Sequence, residues 1–141
     1  MQFQIKRIDK SLPMPEYQTS GAVAFDLYSR VDLDIPAKSI VYIPLNVIVK
    51  VPQGYFLLVA PRSSTHKKGL MMGNNLGIID QDFCGEADEI KFIGYNFTDQ
   101  SVQIKKGDRI AQALLIKIEK CEFAETEQTS QTSRGGIGST G

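Results

Sequence analysis

The chain has 141 residues, 42% of them hydrophobic and 23% charged, which is about one domain's worth of sequence with enough apolar side chain for an ordinary core. Sixteen Lys plus Arg balance sixteen Asp plus Glu, so the surface lacks the basic excess needed to coat a nucleic-acid duplex, although a small nucleotide needs only a local cluster of donors. No apolar run approaches membrane-spanning length and the N-terminus MQFQIKRIDK has no secretory h-region, so a soluble, intracellular protein in the cytoplasm is expected, with no membrane partner.

Strand signals dominate. Residues 3–8 and 31–35 alternate apolar and polar side chains. Residues 39–43, 47–51 and 55–60 are β-branched or aromatic runs split by Pro44, Pro52 and Gly54. Residues 64–72 have room for a helical turn or two. Residues 90–97, 101–104 and 110–118 complete the pattern, with a turn at 105–108. Short strands with turn residues roughly every 8 to 12 positions predict an all-β fold, a jelly roll, sandwich or barrel of mostly antiparallel strands. From Glu122 the chain has little to bury. Residues 1–121 are therefore expected as the folded domain and 122–141 as an arm. A frayed terminus is one reading of that arm. A glycine-rich segment that orders over an anion is the other, because GGIGSTG presents backbone N–H groups and hydroxyls without obstruction. Cys84 and Cys121 read as two reduced thiols.

Several stretches carry residues suited to chemistry. In AFDLYS (24–29), Asp26 alternates with Phe25 and Leu27, as on any half-exposed strand. PRSST (61–65) sets Arg62 beside Ser63 and Ser64 at a strand end, where a phosphate cradle and a helix cap are both open. GNNLGIID (73–80) predicts a hairpin with exposed backbone donors and acceptors, able to read the edge of a small planar ligand. Asp80, after Ile78 and Ile79, is either a turn-capping carboxylate or one held at the mouth of a site. In GDRIAQ (107–112), Gln112 sits among apolar neighbours and needs a partner or an outward face. His66 is the only histidine and reads as a solvated loop residue, so zinc and triad chemistry have no support. Carboxylate chemistry with Mg2+ on a phosphorylated ligand remains.

AFDLYS, PRSS, NNLGIIDQDFCGE, GDRIAQ and RGGIGSTG, in this order from residue 24 to the end, resemble the five motifs of the homotrimeric dUTPase family. The resemblance implies a jelly roll that hydrolyses dUTP to dUMP and pyrophosphate. It also implies a homotrimer with active sites between subunits, where the C-terminal arm closes a neighbour's site. By position, Asp80 would orient and deprotonate the attacking water. Asp26 would hold the water shell of a Mg2+ carried mainly by the triphosphate. Ser63, Ser64 and Gln112 would contact phosphate, with Arg62 bracing the subunit junction or the phosphates. Arg134, Gly136, Ser139 and Thr140 would close on the γ-phosphate. Asn74, Gly77 and Ile79 would present backbone to uracil. Phe83 would pack under the deoxyribose where the family usually has tyrosine, and Lys91 and Ile137 would complete the base side.

The chain departs from the family pattern at three places. Ser64 replaces a glycine. Residues 87–89 form an insertion before Ile90, which displaces Lys91 from its family position. In the last motif Arg134 lies two places nearer the end than the family's phosphate-binding arginine. There too Ile137 replaces an aromatic, which should weaken stacking on the base by roughly 1 kcal/mol. Two other readings stay open. One is a dCTP deaminase of the same fold, alone or bifunctional, whose glutamate falls at Ile90 here, one place after Glu89. The other is a non-catalytic regulatory jelly roll that keeps the nucleotide site.

Overall fold

The computed structural model describes residues 2–129 and 135–136. In chain order its strands are β1 Gln4–Arg7, β2 Phe25–Tyr28, β3 Leu33–Ile35, β4 Ile40–Pro44, β5 Val47–Lys50, β6 Tyr55–Pro61, β7 Leu70–Met72, β8 Gly77–Ile79, β9 Lys91–Asn96, β10 Val102–Ile104 and β11 Arg109–Lys117. A 3-10 helix at Thr65–Lys68 is the helical turn expected between residues 64 and 72. All pairings are antiparallel. A four-stranded sheet of order β2-β11-β6-β8 and a three-stranded sheet β4-β9-β7 are joined by the ribbons β1-β5 and β3-β10, giving the expected jelly roll. No helix among the described residues is long and apolar enough to cross a membrane.

Period-two alternation sorts the side chains into an inner and an outer face. Leu57 and Val59 of β6, Ala111 and Ala113 of β11, Ile43 of β4, Phe92 of β9 and Leu70 of β7 point inward and share one core. The outer rows are also apolar. Leu58 lies between Leu114 and Ile78, and Tyr95 lies between Ile40 and Met71. Ile40, Tyr42, Met71 and Ile78 are 63%, 62%, 52% and 65% exposed.

The predicted hairpin over 73–80 is not formed as a ladder. β7 pairs with β9 and β8 pairs with β6, so the turn between them steps from one sheet to the other. Longer, core-facing partners outcompete the local pairing that the Asn and Gly residues suggest. The turn itself is real: Asn75 takes the left-handed conformation (φ 61), and its N–H donates to the Met72 carbonyl at 3.1 Å.

Buried polar side chains pin distant segments. Asn96 is fully buried and donates to the carbonyls of Ile35, Pro36 and Gln100, while its oxygen accepts from the N–H and hydroxyl of Thr98. A second clamp uses the insertion at 87–89. Glu89 takes a bidentate pair from Arg30 at 2.8 and 2.9 Å and accepts the Asn46 N–H at 2.9 Å. Asn46, at φ 68, turns its side chain onto the backbone of Asp9. The Asp9 carboxylate in turn accepts from Lys106 at 2.5 Å and from the hydroxyl and N–H of Ser11.

Removing one partner of a buried, hydrogen-bonded pair leaves the other uncompensated. Glu89→Ala should therefore lower unfolding stability by about 3 kcal/mol, read from urea unfolding at fixed protein concentration. The hydrogen bond from Lys106, then those from Ser11, hold the Asp9 carboxyl far below its ordinary range. A depressed folded-state pKa contributes stability above the unfolded carboxylate's pKa, and this is lost as pH falls toward the folded one. Asp9→Asn should lower the thermal midpoint clearly at pH 6 and less at pH 3; an equal loss at both would contradict this role.

Candidate active site

Where β6 ends, Thr65 ties the turn to β11. The Arg62 N–H donates to Thr65 Oγ1 at 2.9 Å, and the Thr65 hydroxyl donates to the Ile110 carbonyl at 3.1 Å. The Arg62 side chain then reaches β2, where Nε donates to Asp26 Oδ1 at 2.7 Å. Arg109 Nη1 donates to Asp26 Oδ2 at 3.2 Å. Asp26 lies opposite Gln112 in the β2–β11 ladder and is only 6% exposed. Two guanidiniums compensate one buried carboxylate, which is the condition for holding such a charge. Burial first, and the Asp26 carboxylate second, push up the pKa of the nearby Tyr28 phenol.

Asp26 is therefore not the half-exposed strand residue that its alternation suggests. Each of its oxygens accepts from a guanidinium, so the protein already compensates its charge. No local pattern marks Arg109 as a partner of Asp26. The available signal was its place in GDRIAQ, where it opens the strand that carries Gln112.

Arg62, Ser63 and Gln112 line one groove of about 570 Å3, with Leu70, Met71 and Met72 as its apolar wall and Asn75 and His66 at its border. Ser63 is exposed. Ser64 precedes the 3-10 helix but makes no side-chain cap; its hydroxyl accepts from Arg62 Nη1 at 3.4 Å. Gln112 donates to the Pro61 carbonyl at 3.0 Å, the partner its apolar surroundings demand. A guanidinium and the exposed Ser63 hydroxyl on one groove suit an anion such as phosphate.

Asp80 lies elsewhere. The β6–β8 register pairs Leu57 with Ile79, so Asp80 falls opposite Phe56, six positions before Arg62. At strand rise that is about 20 Å along β6. Asp80 lines a separate cleft of about 300 Å3 with Tyr55, Phe56, Gln81, Asp82, Ile118 and Lys120. No hydrogen bond or ion pair among the described residues engages its carboxylate, so it does not cap a turn. An exposed carboxylate of this kind can hold and polarise a water.

The base-side residues follow the same path. Asn74 donates to the Leu76 carbonyl at 3.0 Å within the turn. Gly77 runs so close to β6 that a Cβ there would sit 3.2 Å from Val59 Cβ. Ile79 packs on the core and Phe83 is 40% exposed. The loop 80–90 is irregular, not the second strand of a hairpin, and it turns where the Gly85 N–H donates to Asp88 Oδ2 at 2.6 Å, leaving no room for a side chain. Lys91, exposed at the start of β9, lines neither groove. Gly136 is exposed and also lines neither. Arg134, Ile137, Ser139 and Thr140 lie outside the described residues.

Residues 10–141 match the family model described as dUTPase. The deoxyuridine 5'-triphosphate nucleotidohydrolase of Dictyoglomus turgidum is 41% identical, over 97% of this chain and 96% of the relative. Among solved structures, the dUTPase of Streptococcus mutans is similar with a TM-score of 0.77 and 28% identity, covering 84% of this chain and 98% of that one. The dUTPase of Staphylococcus bacteriophage 80alpha, a mutant solved with dUpNHpp, has the same fold at a TM-score of 0.86 and 23% identity, covering 99% and 98%. On the family model and the near full-length relative together, the chain belongs to the dUTPase family.

Proposed function

We propose that this chain hydrolyses dUTP to dUMP and pyrophosphate, and that Asp80 activates the attacking water. The observation that carries the assignment of Asp80 is its bare, exposed carboxylate just past the end of β8, with no protein partner among the described residues. A water held by that carboxylate attacks the α-phosphorus in line. The new P–O bond forms as the α–β bridging P–O bond breaks, pyrophosphate leaves, and the water's proton passes to Asp80. A carboxylate is a weak base, so much of the rate must come from fixing the water in position.

Arg62 and Ser63, with Gln112 beside them, take the β- and γ-phosphates and stabilise charge as the leaving group departs. Asp26 acts through Arg62 and Arg109 by holding both guanidiniums in place. Enzymes of this family generally depend on Mg2+. Among the described residues no three potential metal ligands cluster, which fits an ion that arrives chelated by the triphosphate as part of the substrate. Phe83 offers a ring against the deoxyribose, where it leaves no room or partner for a 2'-hydroxyl, and the backbone of residues 74–79 faces the base. Glu89, the residue nearest to a deaminase glutamate, is committed to Arg30 and Asn46, which argues against dCTP deamination.

Asp80 and the Arg62 groove of one chain stand further apart than the phosphates of one nucleotide extend. One chain therefore supplies Asp80 and another supplies the phosphate donors. A closed ring of copies meets that requirement, and the exposed Ile40, Tyr42, Met71 and Ile78 give it apolar surface to bury. We read the assembly as the homotrimer. The arm from residue 122 crosses to a neighbour, and Phe123, 97% exposed in the single chain, is a side chain that needs such cover. A deoxynucleotide substrate supports an intracellular setting, with the cytoplasm as our reading.

Pyrophosphate release from dUTP, dTTP, dCTP and UTP tests the assignment: dUTP should be hydrolysed well ahead of the others, with no ammonia from dCTP. Asp80→Asn should lower kcat by about a thousandfold. A protein that hydrolyses all four alike would overturn the specificity. Mixing tests the split site. Asp80→Asn and Gln112→Ala subunits, each impaired alone, should regain activity when unfolded and refolded together, because some sites then combine two intact halves. No recovery after demonstrated subunit exchange would place both residues on one chain's site.

A further inference from the structure

The turn from β8 into the loop raises a question of orientation. The Asp80 carboxylate has no partner of its own, so only its backbone sets where it points. The backbone ladder of β8 on β6 ends at the rung joining Ile79 to Leu57. Continuing that register sets residue 81 opposite Tyr55. At that position the side chain substitutes for the backbone: Gln81 Nε2 donates to the Tyr55 carbonyl at 2.9 Å. Asp80 is thus bracketed by a true rung on one side and a side-chain rung on the other. Residues 81 and 82 already lie in a turn, which the Phe83 N–H closes onto the Asp80 carbonyl at 3.4 Å. Gln81 is half-buried between the Asp80 cleft and a neighbouring cleft lined by Gln53, Gly54, Ile118 and Lys120.

We propose that Gln81 is a positioning residue for the hydrolysis, anchoring the turn that follows Asp80 to the end of β6 and so fixing the direction of the Asp80 carboxylate. β8 ends at Ile79 and residues 81 and 82 form a turn, so no backbone ladder holds Asp80 in place and the Gln81 side chain ties that turn to the end of β6. Without the rung the backbone at 80 can rotate. A reacting group displaced by an ångström loses catalysis far more than it loses substrate binding. The proposal rests on the assignment of Asp80 as the water-activating group.

The test compares Gln81→Met, which keeps the length and loses the donor, with Gln81→Lys, which keeps a donor able to reach the Tyr55 carbonyl. In Gln81→Met, kcat for dUTP should fall about ten- to a hundredfold with KM within about twofold and the thermal midpoint unchanged. Gln81→Lys should recover most of that loss. Wild-type kcat in Gln81→Met would overturn the proposal. So would a parallel fall in thermal midpoint, or equal losses in both variants, since neither reports a lost donor. If the wild-type protein releases pyrophosphate but Asp80→Asn does so equally, the assignment of Asp80 fails first, and the role of Gln81 falls with it for that separate reason.

Discussion

Everything functional in this molecule is measured along β6. That strand is paired on one side with β11 over its whole length and on the other with β8 through Leu57, Leu58 and Val59. A strand flanked on both sides cannot slip by one residue without turning its core face outward. The register therefore acts as a ruler. Arg62 and Gln112 lie at one end of it, Asp80 and Gln81 at the other, and core packing of Leu57, Val59, Ala111 and Ala113 keeps those ends apart. Separation of Asp80 from the Arg62 groove follows from the same hydrophobic alternation that makes the sheet.

A sheet that is apolar on both faces is a poor solution for a lone domain. The inner rows fill the core, yet the outer rows through Leu58 and Tyr95 still present Ile78, Ile40 and Met71 to solvent. Isolated apolar side chains on a surface are ordinary, but rows of them in register across neighbouring strands call for cover. Association of copies through such faces would bury that surface and bring one chain's carboxylate toward another's donors. Stability and catalysis would then draw on the same contact, so a defect in packing between copies would appear first as lost activity.

Local patterning made most strands legible. Alternation in residues 3–8 and β-branched runs in 47–51 and 55–60 fell into β1, β5 and β6, and the turn residues at 105–108 separate β10 from β11. The failures are all non-local. The Asn and Gly residues at 73–77 signal a turn correctly, but they carry no information about which strands will claim β7 and β8 as partners. Asp26 looks half-exposed because its neighbours alternate; the two arginines that bury it come from residues 62 and 109. Glu89 sits in an insertion and reads as surface, yet it holds Arg30 and Asn46. That Asp80 and Arg62 line different clefts depends on a register that no single stretch encodes; only the resemblance, with its sites between subunits, points that way in the sequence.

Asp26 and Asp80 illustrate how one fold gives the same functional group two roles. Asp26 lies in β2 opposite Gln112, and Asp80 directly follows β8. Asp26 has two guanidiniums against it and is buried, so its negative charge is spent on orienting cations. Asp80 has none and is exposed, so its lone pairs remain for water. Exchanging their surroundings would disable both: a bare carboxylate beside the phosphate groove would repel the substrate, and a carboxylate paired with arginine would be a still poorer base. On the proposed mechanism, the charges of the β2–β6–β11 end serve an anion that binds, and the unpaired carboxylate at the end of β8 serves a proton that moves.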